Sequence, residues 1–149
     1  MHMSGIGASQ NNSHAFTWFH KAAEQGEPIT TQLHTGLLYR SGTGVPRDNG
    51  KAALWFRKSA DQGNEQAQYN LGLMYAKGHG VSKDESEAAA WFLKAAEQGQ
   101  VDAEFALGLM YESGRGVLRD KAEAVKWIRR ASEHGEEMAY EKLQNLEAE

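Results

Sequence analysis

The chain has 149 residues, of which 40% are hydrophobic and 24% are charged, as in ordinary folded domains. Its formal net charge of −4 argues against nucleic-acid binding, which needs Lys and Arg clustered on one face. Because the sequence contains no cysteine, disulfides, thiolate metal sites and cysteine nucleophiles are excluded. No run of about 18 apolar residues occurs, so we expect no membrane insertion.

Residues 1–10 contain Gly and Ser without periodicity, which predicts a disordered start or a remnant of cloning. They lack the basic start and apolar core of a signal peptide. A cytoplasmic location is therefore slightly favoured, and a periplasmic or secreted location stays open if a leader was removed.

A first helix is predicted from about Asn12 to Gln25, within a half repeat that spans residues 11–26. Its alanines and Trp18 follow the order seen in the second helix of each later unit. We therefore predict that Trp18 belongs to the structural core.

The rest of the chain repeats with a step of 36 residues. A fixed period of this length predicts a repeat architecture, in which stacked units bury the faces that one unit cannot bury alone. We predict repeats at about 27–63, 64–99 and 100–135, followed by a terminal capping helix at 136–149. The step is shared by Trp55, Trp91 and Trp127, and by Tyr39, Tyr75 and Tyr111.

Each unit has the pattern of two helices. The first helices are predicted at about 28–41, 65–77 and 101–113, and the second helices at about 49–62, 84–98 and 120–134. Pro28 is expected near the start of the earliest of these first helices, where its missing N–H costs little. In the middle unit, one helical face carries Ala88, Trp91, Phe92, Ala95 and Ala96.

Glycine stands in the middle of each first helix, where it costs about 0.5–1 kcal/mol relative to alanine. We predict that the missing side chain admits a tryptophan from the paired helix. The residues concerned are Gly36, Gly72 and Gly108, with Trp55, Trp91 and Trp127 as their partners.

The helix ends also carry signals. Gly42, Gly78 and Gly114 are predicted left-handed C-caps. Asp48, Asp84 and Asp120 are predicted N-caps. In the last helix, Gln144 stands where the mid-helix glycine is expected, and many glutamates make this helix polar, as the end of a solenoid must be.

The complete pattern resembles the Sel1-like repeat family, a relative of tetratricopeptide repeats with a longer loop. In the middle unit it is filled by Ala67, Leu71, Gly72, Tyr75, Gly78, Gly80, Val81, Asp84, Ala88, Trp91, Ala95, Ala96 and Gly99. The resemblance implies an all-α fold, an α/α solenoid with a right-handed superhelix. It also implies a concave side that binds proteins or peptides, because family members act as adaptors.

Motifs for chemistry are weak. The Gly-x-Gly loops follow helices and lack the preceding strand of a dinucleotide site, so we interpret them as caps. The six histidines show no paired metal-ligand spacing. We therefore expect no enzyme activity, no catalytic residues, no cofactor and no metal site.

A second apolar stripe runs along the first helices, on the side opposite Leu71. Such a stripe either lines the inner groove and binds a partner, or packs between neighbouring repeats. Its apolar members are Leu33, Leu37, Tyr69, Leu73, Phe105 and Leu109, and its polar neighbours include Gln66, Asn70 and Asp102.

The sequence thus favours a protein-interaction scaffold, either monomeric or weakly associated end to end. One alternative is a cell-wall-associated ligand-binding or hydrolytic protein. The resemblance suggests this because some cysteine-rich relatives have been linked to such roles, although the missing cysteines weaken that parallel. Another alternative is a fragment or consensus-like sequence without a defined partner.

Overall fold

The structure, a computed structural model, describes residues 13, 14, 16–18, 20, 21, 24 and 29–148. The eight described residues before residue 29 are helical. The predicted disorder of residues 1–10, the ends of the first helix at Asn12 and Gln25, and the position of Pro28 lie outside the described residues. Within residues 29–148 the helices are α1 (Ile29–Ser41), α2 (Asn49–Asp61), α3 (Glu65–Lys77), α4 (Glu85–Glu97), α5 (Val101–Ser113), α6 (Lys121–Glu133) and α7 (Glu137–Ala148).

These helices confirm the all-α solenoid, and their ends lie within two residues of the predicted ends. Helices α1, α3 and α5 are the first helices of three repeats, and α2, α4 and α6 are the second helices. The extensive helix contacts join each helix to the one before and the one after it. No strand occurs in the part of the chain that the structure describes.

The predicted caps are confirmed. The carboxylate of Asp84 accepts a hydrogen bond from the Glu87 amide at 3.1 Å, and Asp48 and Asp120 cap α2 and α6 in the same way. Gly78 adopts φ 72° and donates its N–H to the Met74 carbonyl, which ends α3. These local signals therefore set where the helices begin and end.

The gaps left by the mid-helix glycines are filled by a different residue from the one predicted. A Cβ atom added to Gly72 would lie 2.7 Å from Phe92 Cδ1, and one added to Gly36 would lie 2.7 Å from Phe56 Cδ1. At Gly108 the neighbour is Ile128. The prediction that tryptophans occupy these gaps is wrong, because the residue that follows each tryptophan points into the gap.

The tryptophans are still core residues, but they pack between repeats. Trp55, Trp91 and Trp127 are 7%, 5% and 3% exposed. Trp91 belongs to the same buried cluster as Trp55, on the preceding second helix, and the Arg57 guanidinium lies 5.5 Å from the Trp91 ring. Each of these indoles therefore joins its own repeat to the previous one.

Trp18 departs from this pattern, because 63% of its surface is exposed. The prediction that it is a core residue needs correction. A tryptophan on a second helix is covered by the preceding repeat, and the described residues include no earlier helix that could cover Trp18.

Polar pairs also link the two helices of each repeat at one position. Gln62 Nε2 donates to Gln32 Oε1, and Gln98 Nε2 donates to Gln68 Oε1, both at 2.9 Å. In the third repeat the corresponding residues are His134 and Glu104, hydrogen-bonded at 2.7 Å. Glu104 is fully buried, and Arg130 Nε lies 3.4 Å from its second carboxylate oxygen.

The last helix, α7, packs on α6 through Ala139 and Leu146, which are buried. Ion pairs at 2.6 Å tie it to the previous repeat, from Arg129 to Glu147 and from Lys142 to Glu112. Gln144, at the position of the glycine gaps, is exposed and donates to the Tyr140 hydroxyl at 2.8 Å.

Candidate partner-binding face

The stripe predicted on the first helices is divided between the core and the surface. Leu33 and Asn70 are buried, at 8% and 3% exposure, so Leu33 belongs to the core and not to an exposed face. Gln66 and Asp102 are exposed. The remaining members are partly buried and pack against the three core clusters: Leu37, Tyr69, Leu73, Phe105 and Leu109.

Tyr69 is a partly buried member of this stripe that also packs against the core. Its ring centroid lies 5.7 Å from that of Phe92, so the ring stabilises the core around the glycine gap. Burial, and to a smaller extent the Asp102 carboxylate, raises the pKa of the Tyr69 phenol above its ordinary value of 10.0. Burial is also the main cause of the raised pKa values of Tyr39 and Tyr111.

These raised pKa values predict a loss of stability at alkaline pH. The phenols ionise at lower pH in the unfolded chain than in the folded one, so their contribution is complete below about pH 10 and is lost as pH rises through the folded-state pKa. Tyr69→Phe should make this alkaline decline shallower, because one such phenol is removed. Urea unfolding across the alkaline range measures it, and an unchanged pH dependence in Tyr69→Phe would contradict the expectation.

Three clefts follow one another along this face, one at each junction between repeats. We name them the first, second and third clefts, with volumes of about 100, 180 and 90 Å³. The first is lined mainly by Arg40, Arg47, Asn49, Asn70, Leu73, Met74, Lys77 and His79. The second is lined mainly by Leu73, Ala76, Glu85, Ala106, Leu109, Met110 and Arg115, and the third by Glu112, Arg119, Lys121 and Leu146.

The clefts are equivalent positions of the repeat. One side of each is formed by Arg40, Ala76 or Glu112, which stand 36 residues apart. Their floors keep the same apolar character, whereas the residues at their edges change in charge from one repeat to the next. The floor series is Met74, Met110 and Leu146, and a second edge series is Asn49, Glu85 and Lys121.

Sequence reasoning placed Asn70, Leu73 and Leu109 on this face, but it missed the basic residues of the first cleft. Arg47 and His79 lie in the loops that follow first helices, where the glycine pattern indicates only caps. The repeat step could have identified them. Aligning the units at 36-residue intervals shows positions where the charge changes next to positions that stay apolar.

The described residues contain no group of three or more His, Cys, Asp or Glu side chains placed to hold a metal ion. None of the helices that the structure describes is both long enough and apolar enough to cross a membrane.

The repeats match a known family. The profile of the Sel1 repeat matches residues 1–27, 31–64, 65–100 and 101–136. The chain therefore belongs to the Sel1 repeat family, whose members are generally protein-interaction scaffolds. No curated protein matches the chain significantly.

Solved structures agree with this assignment. The chain is similar to a protective antigen of uropathogenic Escherichia coli strains that displays an SLR fold, with 36% identity and a TM-score of 0.87 over 90% of this chain and 28% of that one. A Sel1 repeat protein from Oxalobacter formigenes is 36% identical, with a TM-score of 0.83 over 96% of this chain and 59% of that one. Cysteine-rich protein B of Helicobacter pylori is 25% identical, with a TM-score of 0.72 over 91% and 96%.

The chain thus spans 28% and 59% of the length of the first two of these proteins.

Proposed function

We propose that this chain is a non-enzymatic scaffold that binds an extended segment of a partner protein along the three clefts. The observation that carries the proposal is that the clefts recur at equivalent positions of the repeat. Each cleft has an apolar floor, and the charge of the side chains at its edges changes from one repeat to the next. Scaffolds that bind extended peptides take affinity from apolar anchors and specificity from the polar residues around them.

The dimensions of the clefts fit this mode of binding. Their volumes of about 90–180 Å³ are below the roughly 300–1,000 Å³ of sites that enclose a small molecule. A cleft of this size suits one side chain of a segment that crosses several repeats. The proposal therefore places the partner along the stack, in contact with more than one junction.

The test uses a matched pair of alanines. Ala76 lines the second cleft on α3, and Ala90 is exposed on the second helix α4. Random peptides displayed on phage are first selected against the wild-type chain, and one selected peptide is then titrated by fluorescence anisotropy. Ala76→Glu, which copies Glu112 of the next repeat, should weaken its binding about tenfold or more, whereas Ala90→Glu should leave it unchanged.

Circular dichroism melting of both variants checks that the fold is intact. The proposal fails if the wild-type chain selects no peptide, or if Ala76→Glu binds the selected peptide as tightly as Ala90→Glu does.

A further inference from the structure

A buried amide side chain, that of Asn70, lines the first cleft. Asn70 is 3% exposed, and its Oδ1 accepts a hydrogen bond from Arg40 Nη1 at 2.9 Å. Because a guanidinium can only donate, this bond fixes the orientation of the amide and turns Nδ2 the other way. Among the described residues Nδ2 has no hydrogen-bond partner and is itself buried. The bond to Oδ1 therefore holds the Arg40 guanidinium at the edge of the cleft.

The residues around this amide are basic. Arg40, Arg47, Lys77 and His79 line the first cleft, and its lining includes no Asp or Glu. Arg40 is held in place, because its guanidinium lies 5.6 Å from the centre of the Phe56 ring as well as on Asn70. This local positive charge contrasts with the net charge of −4 of the whole chain. An anionic acceptor is thus the complement of the site.

The second cleft differs at the equivalent positions. Ala76 and Ala106 replace Arg40 and Asn70, so the charged edge and the amide that holds it are both lost. Leu73 and Leu109 complete an apolar lining, with Glu85 and Arg115 as its charged members. An apolar side chain is the complement of this second cleft.

We propose that the first cleft binds a carboxylate of the partner segment, from an Asp or Glu side chain, while the second cleft binds an apolar side chain of the same segment. This inference rests on the proposed function and specifies the class of partner. The carboxylate accepts hydrogen bonds from the guanidinium groups of Arg40 and Arg47, which bind carboxylates in a planar, two-bond geometry, and Asn70 positions Arg40. The apolar side chain excludes water from Leu109 and its neighbours.

The repeat sets the spacing between the two anchors. Arg40 of α1 bonds to Asn70 of α3, and two such side chains span a separation on the order of 10 Å, similar to that between packed helices. An extended segment advances roughly 3.3 Å per residue, so the carboxylate and the apolar side chain stand about three residues apart.

The test compares two exposed basic residues at equivalent positions of the repeat. Arg47 lines the first cleft, whereas Lys83, 36 residues later, is not among the residues that line the second cleft. Arg47→Glu and Lys83→Glu change the net charge of the chain equally. The probe is the library of displayed random peptides, selected in parallel against the wild-type chain and both variants.

The wild-type chain and Lys83→Glu should enrich peptides with an acidic residue about three positions from an apolar one, and Arg47→Glu should lose the acidic preference. A synthetic wild-type-selected peptide should bind about tenfold more weakly when its acidic residue is replaced by the matching amide. Asn70→Ala, which copies Ala106, should produce a similar loss, with circular dichroism melting as the check on folding.

The outcomes distinguish failure of the proposed function from failure of the carboxylate site alone. If the wild-type chain selects no peptide, the proposed function fails and this inference fails with it. If peptides are selected without acidic enrichment, or if Arg47→Glu and Lys83→Glu behave alike, the carboxylate site is overturned and the binding face stands. Unchanged affinity for the amide-substituted peptide overturns it as well.

Discussion

Replacing Gly72 by valine is expected to destabilise the chain by about 3 kcal/mol, at the upper end of the range for overpacked cores. Even the first added atom, Cβ, would lie 2.7 Å from two ring carbons of Phe92 and 3.3 Å from the Ala88 carbonyl oxygen. Phe92 is 3% exposed and Ala88 is fully buried, so neither helix can yield without losing contacts elsewhere. Urea unfolding followed by circular dichroism measures the change.

A double-mutant cycle identifies the residue that fills the gap. Phe92→Ala alone should cost about 3–5 kcal/mol. Combined with Gly72→Val it should cost less than the sum of the two, because the valine occupies the space that the ring leaves. We expect this coupling to be about 1–3 kcal/mol.

Trp91→Ala is the matched control for that cycle. It also removes a large buried aromatic residue, but Trp91 belongs to the cluster between repeats, and the atoms nearest to a Cβ added at Gly72 are those of Phe92 and Ala88. Its effect should add to that of Gly72→Val within about 0.5 kcal/mol. If Gly72→Val coupled strongly to Trp91→Ala and not to Phe92→Ala, the result would indicate that tryptophan fills the gap.

Removing the His134 side chain is expected to destabilise the third repeat by about 1–3 kcal/mol, the range for leaving a buried acceptor unsatisfied. Glu104 is fully buried and is hydrogen-bonded to His134 at 2.7 Å. Among the ion pairs of the described residues, His134→Ala would leave the Glu104 carboxylate only the one with Arg130, at 3.4 Å. The free energy of unfolding in urea reports the loss.

The other repeats provide the control. Glu104→Gln combined with His134→Gln reproduces the pair formed by Gln98 and Gln68, which is hydrogen-bonded at 2.9 Å. Because a neutral pair of similar shape replaces a buried charge, we expect a stability within about 1 kcal/mol of the wild type. A double variant as unstable as His134→Ala would mean that the histidine and carboxylate are themselves required there.

The local features of this fold were readable from the sequence. Asp84 caps a helix and Gly78 ends one because both effects act within a few residues, so spacing alone locates them. The partner of Gly72 was not readable in this way. Trp91 and Phe92 lie side by side on one apolar stripe, and their directions differ by the 100° between successive helical residues. Only the packing of two helices decides which of them points into the gap.

The candidate site was predicted in outline. Periodicity placed Leu73, Leu109 and Asn70 on one face. How far each side chain is buried depends on the neighbouring repeat, and the pattern of one helix does not report that. The charge of the first cleft depends on loops meeting helices across a junction. The hydrogen bond between Arg40 and Asn70 likewise joins two repeats, so no single-helix pattern predicts it.

The most direct test of the account is to map where a selected peptide touches the chain, using backbone amide chemical shifts during a titration. Binding along the clefts predicts the largest shifts on α3 and α5, around Asn70, Leu73 and Lys77 and around Ala106 and Leu109. Largest shifts on α2, α4 and α6 at residues that do not line the clefts, such as Ala90, would contradict it.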